Sequence, residues 1–331
     1  MGIEVLTGFI YSLIVYNIPL LYGTVGEIFN EKSGSLNLGV EGTMAVGAMF
    51  GYLIGCWTNS LFLGILASMV FAGLCGLIFA FFTVSLQANQ NVTGLTVTTL
   101  GLGVYYFVGH GVNKSLGWPS MQAASNITAG WKAIHIPLFS DIPFFGEEFF
   151  SHNIYIYLGI LIAVLSWWYM KYTKAGLRMR AVGENPAAAD SCGVNINRYK
   201  YVHIILGSAI MGIGGYYMAL NISGEYLAST GWVNGYGWIA VALVIFAGWN
   251  PAKALLGTFV FGIFKALEVY NDSIVYAFPK VFGWLHAIPL KVYTALPFII
   301  TAIVLFIGSV RKSKKTNQPA AIGINYYRED R

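Results

Sequence analysis

Charged residues are scarce in this 331-residue sequence, where Asp, Glu, Lys and Arg together make up only 10%. A soluble domain carries about 25%, so a chain this poor in charge has too little hydrated surface to cover a soluble core of its own apolar residues. Cysteine is rare as well. Cys56, Cys75 and Cys192 show no CxxC spacing, which removes the usual thiol-redox and zinc patterns and leaves small packing residues as their expected use. His110, His135, His152, His203 and His286 are scattered, and no metal-ligand spacing joins them. There is no GxxxxGK[ST] phosphate loop and no HExxH, and no Ser-His or paired-carboxylate constellation recurs at useful spacing. No catalytic residue and no metal ligand is therefore assigned. The net charge of +5 does not mark a nucleic-acid binder, because the basic residues fall mainly in two short stretches beside apolar runs.

What is present points to lipid as the solvent. Hydrophobic residues reach 56%, aromatics 16%, and there are 39 glycines; mean hydropathy is +0.64. Nine apolar runs, near residues 6–28, 38–57, 61–86, 93–111, 153–172, 198–221, 237–249, 254–271 and 290–309, predict an all-α polytopic membrane protein with eight to ten transmembrane helices. The seventh run is too short to cross a bilayer at about 1.5 Å per residue, so broken or half helices are expected. The first run lacks a basic leader and reads as a retained span. Residues 1–311 form one membrane domain, and the polar tail 312–331 is expected to be frayed.

Basic residues set the expected orientation. Lys171, Lys174, Arg178, Arg180, Arg198 and Lys200 lie between the fifth and sixth runs, and Arg311, Lys312, Lys314 and Lys315 follow the last. Both stretches are expected in the cytoplasm, which puts the N-terminus outside. The long break 112–152, with Pro119, Pro137, Pro143, Asp141, Glu147 and Glu148, then faces outward.

Three segments and one aromatic stretch carry polar or stacking chemistry. In the first segment Asn37 and Glu41 share a helical face at the start of a glycine-rich apolar run. They line a polar path at a broken helix, or Glu41 is an interfacial carboxylate and the glycines only pack. The second, Ala88 to Gly94, places Asn89 and Asn91 in an uncharged amide-rich break, suited to sugar hydroxyls and base edges or simply to helix capping. The third runs from Gly176 to Gly193. Arg178 and Arg180 precede Gly183, Glu184, Asn185 and Pro186, followed by an alanine run containing Ala188, then Asp190 and the helix stop Gly193. It reads as a short cytoplasmic helix that docks in a groove of another protein, or as a solvated loop. Trp232 and Tyr236 belong to the aromatic stretch Tyr226 to Trp238, which either stacks on a solute ring or forms an interface belt.

The stretches SGSLNLGVEGTMAVGA, GLRMRAVGENPAAADSCGVNINRYKY and GWIAVALVIFAGWNPAKALLGTFVFG resemble those of the ribose/nucleoside branch of ABC importer permeases, over about Leu21 to Gly308. Gln90 departs from that branch, whose members often carry an acidic residue there, so no substrate role is carried to it. The resemblance implies the ABC importer permease fold and a passive path for nucleosides or related ribosyl compounds, with simple sugars or riboflavin as alternatives. It implies no cofactor on this chain, because ATP is used by separate cytoplasmic ATPase subunits. Its other partners are a second permease, homologous or identical, an extracytoplasmic binding protein or lipoprotein, and membrane lipid; nucleic acid is not among them. The implied location is the bacterial inner membrane. An ion-coupled transporter is the competing class. It needs a relay of intramembrane ionisable groups, for which Glu41, Lys265 and Glu268 are the candidates.

Overall fold

A computed structural model describes residues 2–119, 125–128, 134–135, 146, 150–223, 231–311 and 318–327. Of the predicted outer loop, Pro137, Asp141, Pro143, Glu147 and Glu148 lie outside the described residues, as do Tyr226 and the basic residues Lys312, Lys314 and Lys315.

Each of the nine apolar runs becomes a helix. These are α1 (Gly2–Lys32), α2 (Val40–Thr58), α3 (Leu61–Ala80, prolonged by a π turn to Ser85), α4 (Gln90–Ser115) and α5 (Ile154–Tyr172). Two short helices follow, α6 (Lys174–Glu184) and α7 (Pro186–Ser191). Then come α8 (Ile196–Met218), the short α9 (Tyr236–Phe246), α10 (Pro251–Ala277), the single turn α11 (Pro279–Phe282) and α12 (Leu290–Arg311). Polar residues at the breaks set several starts. The side chains of Ser60, Asn89, Thr173, Asn185, Asn195 and Asn250 accept the free N–H groups of α3, α4, α6, α7, α8 and α10.

Among the described residues, five helices (α1, α3, α4, α5 and α8) are long and apolar enough to cross a membrane, or up to six spans if the bent pair Pro279–Ala287 and Lys291–Ile300 counts as one. α2 opens on Glu41, and α10 carries Lys253, Lys265, Glu268 and Asp272, and neither is among these five. α3 shows what the outer helices face. Leu66, Val70, Leu74 and Leu77 are exposed along one side at helical spacing, a stripe that suits acyl chains.

α8 is the most enclosed of the five. Close approach requires its glycines: Gly207 meets Gly26 of α1, and a methyl on Gly47 of α2 would stand 2.5 Å from the Gly212 Cα. With no hydrophobic drive between helices in lipid, such small-residue contacts supply the packing energy. α1 runs antiparallel to α8, with Gly26 against Gly207 and Pro19 and Tyr22 against Gly214. It also runs antiparallel to α10, with Ser12 bonded to Tyr270 at 3.1 Å and Gly262 packed on Leu13 and Asn17. α1, α2, α8, α9 and α10 therefore enclose the interior, which is where the polar groups gather.

Candidate functional site

The polar interior begins where α1 ends. Gly34, in the left-handed region at φ +83°, turns the chain out of the helix. Residues 35–39 then run non-helically between α1 and α4. Backbone groups buried there need partners, and side chains supply them. Leu36 N–H donates to Gln90 Oε1 at 2.8 Å, Asn37 N–H to Glu27 Oε1 at 3.1 Å, and Gly39 N–H to Asn37 Oδ1 at 2.8 Å. The Leu38 carbonyl accepts the Thr98 hydroxyl at 2.9 Å. Glu27 is fully buried, and its second oxygen accepts Asn30 Nδ2 at 2.7 Å.

The segment leads to Glu41, whose two oxygens accept Gly235 N–H and Gly237 N–H at 2.7 Å each. These are free donors at the start of α9, where the helix dipole favours an anion. Beyond the other end of α9, buried Glu31 accepts the indole N–H of Trp249. Two carboxylates, one from α1 and one from α2, thus clamp the half-helix at both ends. The N-terminal end of α9 opens onto a cavity of about 200 Å³ lined by Asn234, Tyr236, Phe261, Lys265, Glu268 and Tyr293, among others. Lys265 Nζ bonds Glu268 Oε2 at 2.9 Å and stands 5.9 Å from the Tyr236 ring centroid. Both charged side chains are about a quarter exposed. A paired Lys and Glu facing a cavity in an otherwise apolar bundle mark a candidate site for a polar solute.

The structure brings some of the predicted path residues together and not others. Asn37 and Glu41 are both buried and hydrogen-bonded, Asn37 to Glu27 and Gly39, and Glu41 to the start of α9, and so shape the break from within. Asn89 and Asn91 are exposed at the start of α4, where Asn89 Oδ1 caps Val92 N–H at 3.1 Å. Trp232 is buried among aromatic rings, 5.0 Å from Tyr52 and 5.4 Å from Tyr105 between centroids. Tyr236 faces the cavity. Glu27 and Glu31 are additional to the sequence reading. Their spacing of four residues, with Asn30 between, is a polar stripe at the end of the first apolar run.

The predicted coupling segment forms α6 and α7. Asn185 Oδ1 caps Ala188 N–H at 3.0 Å, Pro186 occupies the first turn, and Gly193 stops the helix at φ +77°. Arg178, Glu184, Asn185, Ala188 and Gly193 are exposed, Arg180 and Asp190 are half-buried, and Gly183 is buried against the backbone of Lys32 and Gly34. This contact ties the segment to the end of α1. The tail differs from its expectation: residues 318–327 fold back onto this face. Ala321 N–H donates to the Gly183 carbonyl at 2.9 Å, and the Tyr326 hydroxyl to Asp190 Oδ2 at 2.8 Å. Polarity alone predicts fraying, but side-chain and backbone partners hold these ten residues in place.

Comparison with known proteins agrees with this architecture. Residues 9–307 match the family model described as branched-chain amino acid transport system / permease component. The chain is 33% identical to the nucleoside ABC transporter permease protein NupC of Lactococcus lactis subsp. cremoris, over 95% of both chains. It is 31% identical to the guanosine ABC transporter permease protein NupQ of Bacillus subtilis, over 99% of both. It is likewise 33% identical to the putative glucose ABC transporter permease protein TsgC13 of Haloferax volcanii, over 94% of both chains. No solved structure matches the chain.

Proposed function

The chain belongs to the branched-chain amino acid transport system / permease component family, and from that premise we propose that it forms the membrane path of an ABC importer whose cargo is a nucleoside. The end-to-end similarity to a nucleoside permease and a guanosine permease carries this reading. The site adds chemical sense. A nucleoside is an uncharged solute with a stackable base and both donors and acceptors. The cavity offers a neutral ion pair, Lys265 with Glu268, beside the rings of Tyr236, Phe261 and Tyr293 and the amide of Asn234. The pair can donate to a base carbonyl or ring nitrogen and accept from a base amine without imposing net charge.

In this reading the chain holds no ATPase site and no cofactor, and ATP is hydrolysed by cytoplasmic partners docked on α6 and α7. A second permease completes the path, and an extracytoplasmic binding protein or lipoprotein delivers the cargo. The N-terminus faces outward and the C-terminus lies in the cytoplasm of a bacterial cell. The ion-coupled alternative draws no support from the buried carboxylates. Glu27, Glu31 and Glu41 each accept hydrogen bonds from structural N–H groups, whereas a relay needs groups free to load and release an ion.

Equal identity, 33% end to end, to a putative glucose permease keeps a simple sugar as the second reading. Uptake competition separates the two. Proteoliposomes carrying the full complex import labelled guanosine, and excess adenosine or uridine is expected to compete whereas glucose is not. Competition by glucose alone would favour the sugar.

A further inference from the structure

We infer that the C-terminal segment carries motion from the coupling helix to the broken start of α2, and that Asn325, Tyr326 and Gln90 are the positioning residues of this relay; the inference rests on the importer reading above. Its contacts form one unbroken line. Starting at the coupling helix, the Tyr326 hydroxyl donates to Asp190 Oδ2 at 2.8 Å. The neighbouring Asn325 donates through Nδ2 to the carbonyls of Gln87 and Ala88, at 2.5 and 3.3 Å, in the break between α3 and α4. Asn325 Oδ1 accepts Gln90 Nε2 at 3.1 Å. The other end of the same amide, Gln90 Oε1, accepts Leu36 N–H at 2.8 Å. Leu36 precedes Asn37, whose N–H is held by Glu27, and five residues on, Glu41 caps the half-helix beside the cavity. A second strand of contact runs alongside, from Ala320 N–H to Glu184 Oε2 at 3.3 Å and from Ala321 N–H to the Gly183 carbonyl at 2.9 Å.

Two features separate a relay from mere packing. Gln90 is only 3% exposed, and both ends of its amide are used in opposite senses, one accepting from the path and one donating to the tail. Only a side chain with a donor and an acceptor at its tip does both. A glutamate of the same shape keeps one oxygen on Leu36 N–H but sets the other, an acceptor, against the acceptor Asn325 Oδ1. Asn325 cannot turn its amide to relieve that contact without losing its bonds to Gln87 and Ala88. The segment also touches three separate cytoplasmic pieces: the coupling helices, the α3–α4 break and the α1–α2 break. Docking that shifts α7 therefore pulls on Leu36 through the tail and the Gln90 side chain, without the intervening helices having to move independently.

The test uses the whole reconstituted complex and reads uptake per ATP hydrolysed, a ratio that a purely structural loss of protein leaves unchanged. Tyr326→Phe removes one hydroxyl, and Gln90→Glu exchanges one amide for a carboxylate. Each is expected to keep assembly and basal ATP hydrolysis while lowering nucleoside moved per ATP by about fivefold or more, the lower end of usual coupling factors. The double variant should be no worse than the poorer single one, because both break the same line. An unchanged ratio in the single variants overturns the inference, as do additive losses in the double variant. Failure of both variants to assemble with the ATPase overturns it too, because the tail is then a clamp and not a relay. Absence of ATP-coupled nucleoside uptake in the wild type would instead defeat the importer reading.

Discussion

Removing the Glu41 carboxylate tests whether this residue shapes the path or binds cargo. Its side chain is 5% exposed and accepts two backbone N–H groups at 2.7 Å, from Gly235 and Gly237. Glu41→Leu leaves both donors buried without a partner, at about 1–3 kcal/mol each, and removes the anion from a helix N-terminus, worth about 0.3–1 kcal/mol or somewhat more when buried. The expected loss is about 2–7 kcal/mol by adding these contributions, a large share of a net stability of about 5–15 kcal/mol. Glu41→Gln keeps one acceptor and the shape, and turns one bond into a donor–donor clash, so about half that loss is expected. The assay is the apparent Tm of the purified complex in detergent, read together with uptake at several nucleoside concentrations. The order of Tm should be wild type, then Gln, then Leu, and whatever Gln retains should show a lower maximal rate at an unchanged half-saturating concentration. Equal Tm values for all three, with only the half-saturating concentration raised, would refute the clamp and make Glu41 a cargo ligand.

Other perturbations separate the parts of the account. Ala188 is exposed on α7, so Ala188→Trp should insert normally yet fail to copurify with, or to stimulate, the ATPase; equal stimulation would make α6 and α7 a solvated connection. Lys265→Met leaves Glu268 without its partner in the cavity and should reduce uptake at least tenfold, about 1.4 kcal/mol, with assembly intact; wild-type uptake would take the pair out of the path. Gly47→Leu forces side-chain atoms into the backbone of α8 at Gly212. Overpacking of this kind costs about 1–3 kcal/mol or more, and a normal Tm would show that the helices are not packed this tightly. Cysteine placed at Lys174 should resist impermeant thiol reagents in intact cells while one near Ser140 reacts; labelling at Lys174 would reverse the orientation.

Much of the fold is legible in the sequence because lipid imposes a simple rule. Backbone polar groups in hydrocarbon must be satisfied within the segment, so every apolar run of sufficient length reads as a helix. The dozen-residue run near 237–249 stands out by its shortness, and it is the half-helix α9. Asn185, Pro186 and Gly193 signal α7 by cap chemistry alone. What remains hidden depends on long-range pairing. Nothing local says that Glu41 reaches Gly235, 194 positions away, or that Gln90 meets Asn325 across 235 positions. Glu27 and Glu31 are obscured because they close an otherwise apolar run. The tail is polar and lacks periodicity, so its docking rests on a few side-chain contacts that no pattern reveals.

The central claim is that this chain is the passive path of an ABC importer for nucleosides, moved by a partner that hydrolyses ATP. Its most direct test is nucleoside accumulation in proteoliposomes containing this chain, its permease partner and the binding protein, with and without the cytoplasmic ATPase. The account predicts ATP-dependent accumulation only when the ATPase is present, and none when a pH or sodium gradient replaces it. Gradient-driven accumulation without the ATPase would contradict it.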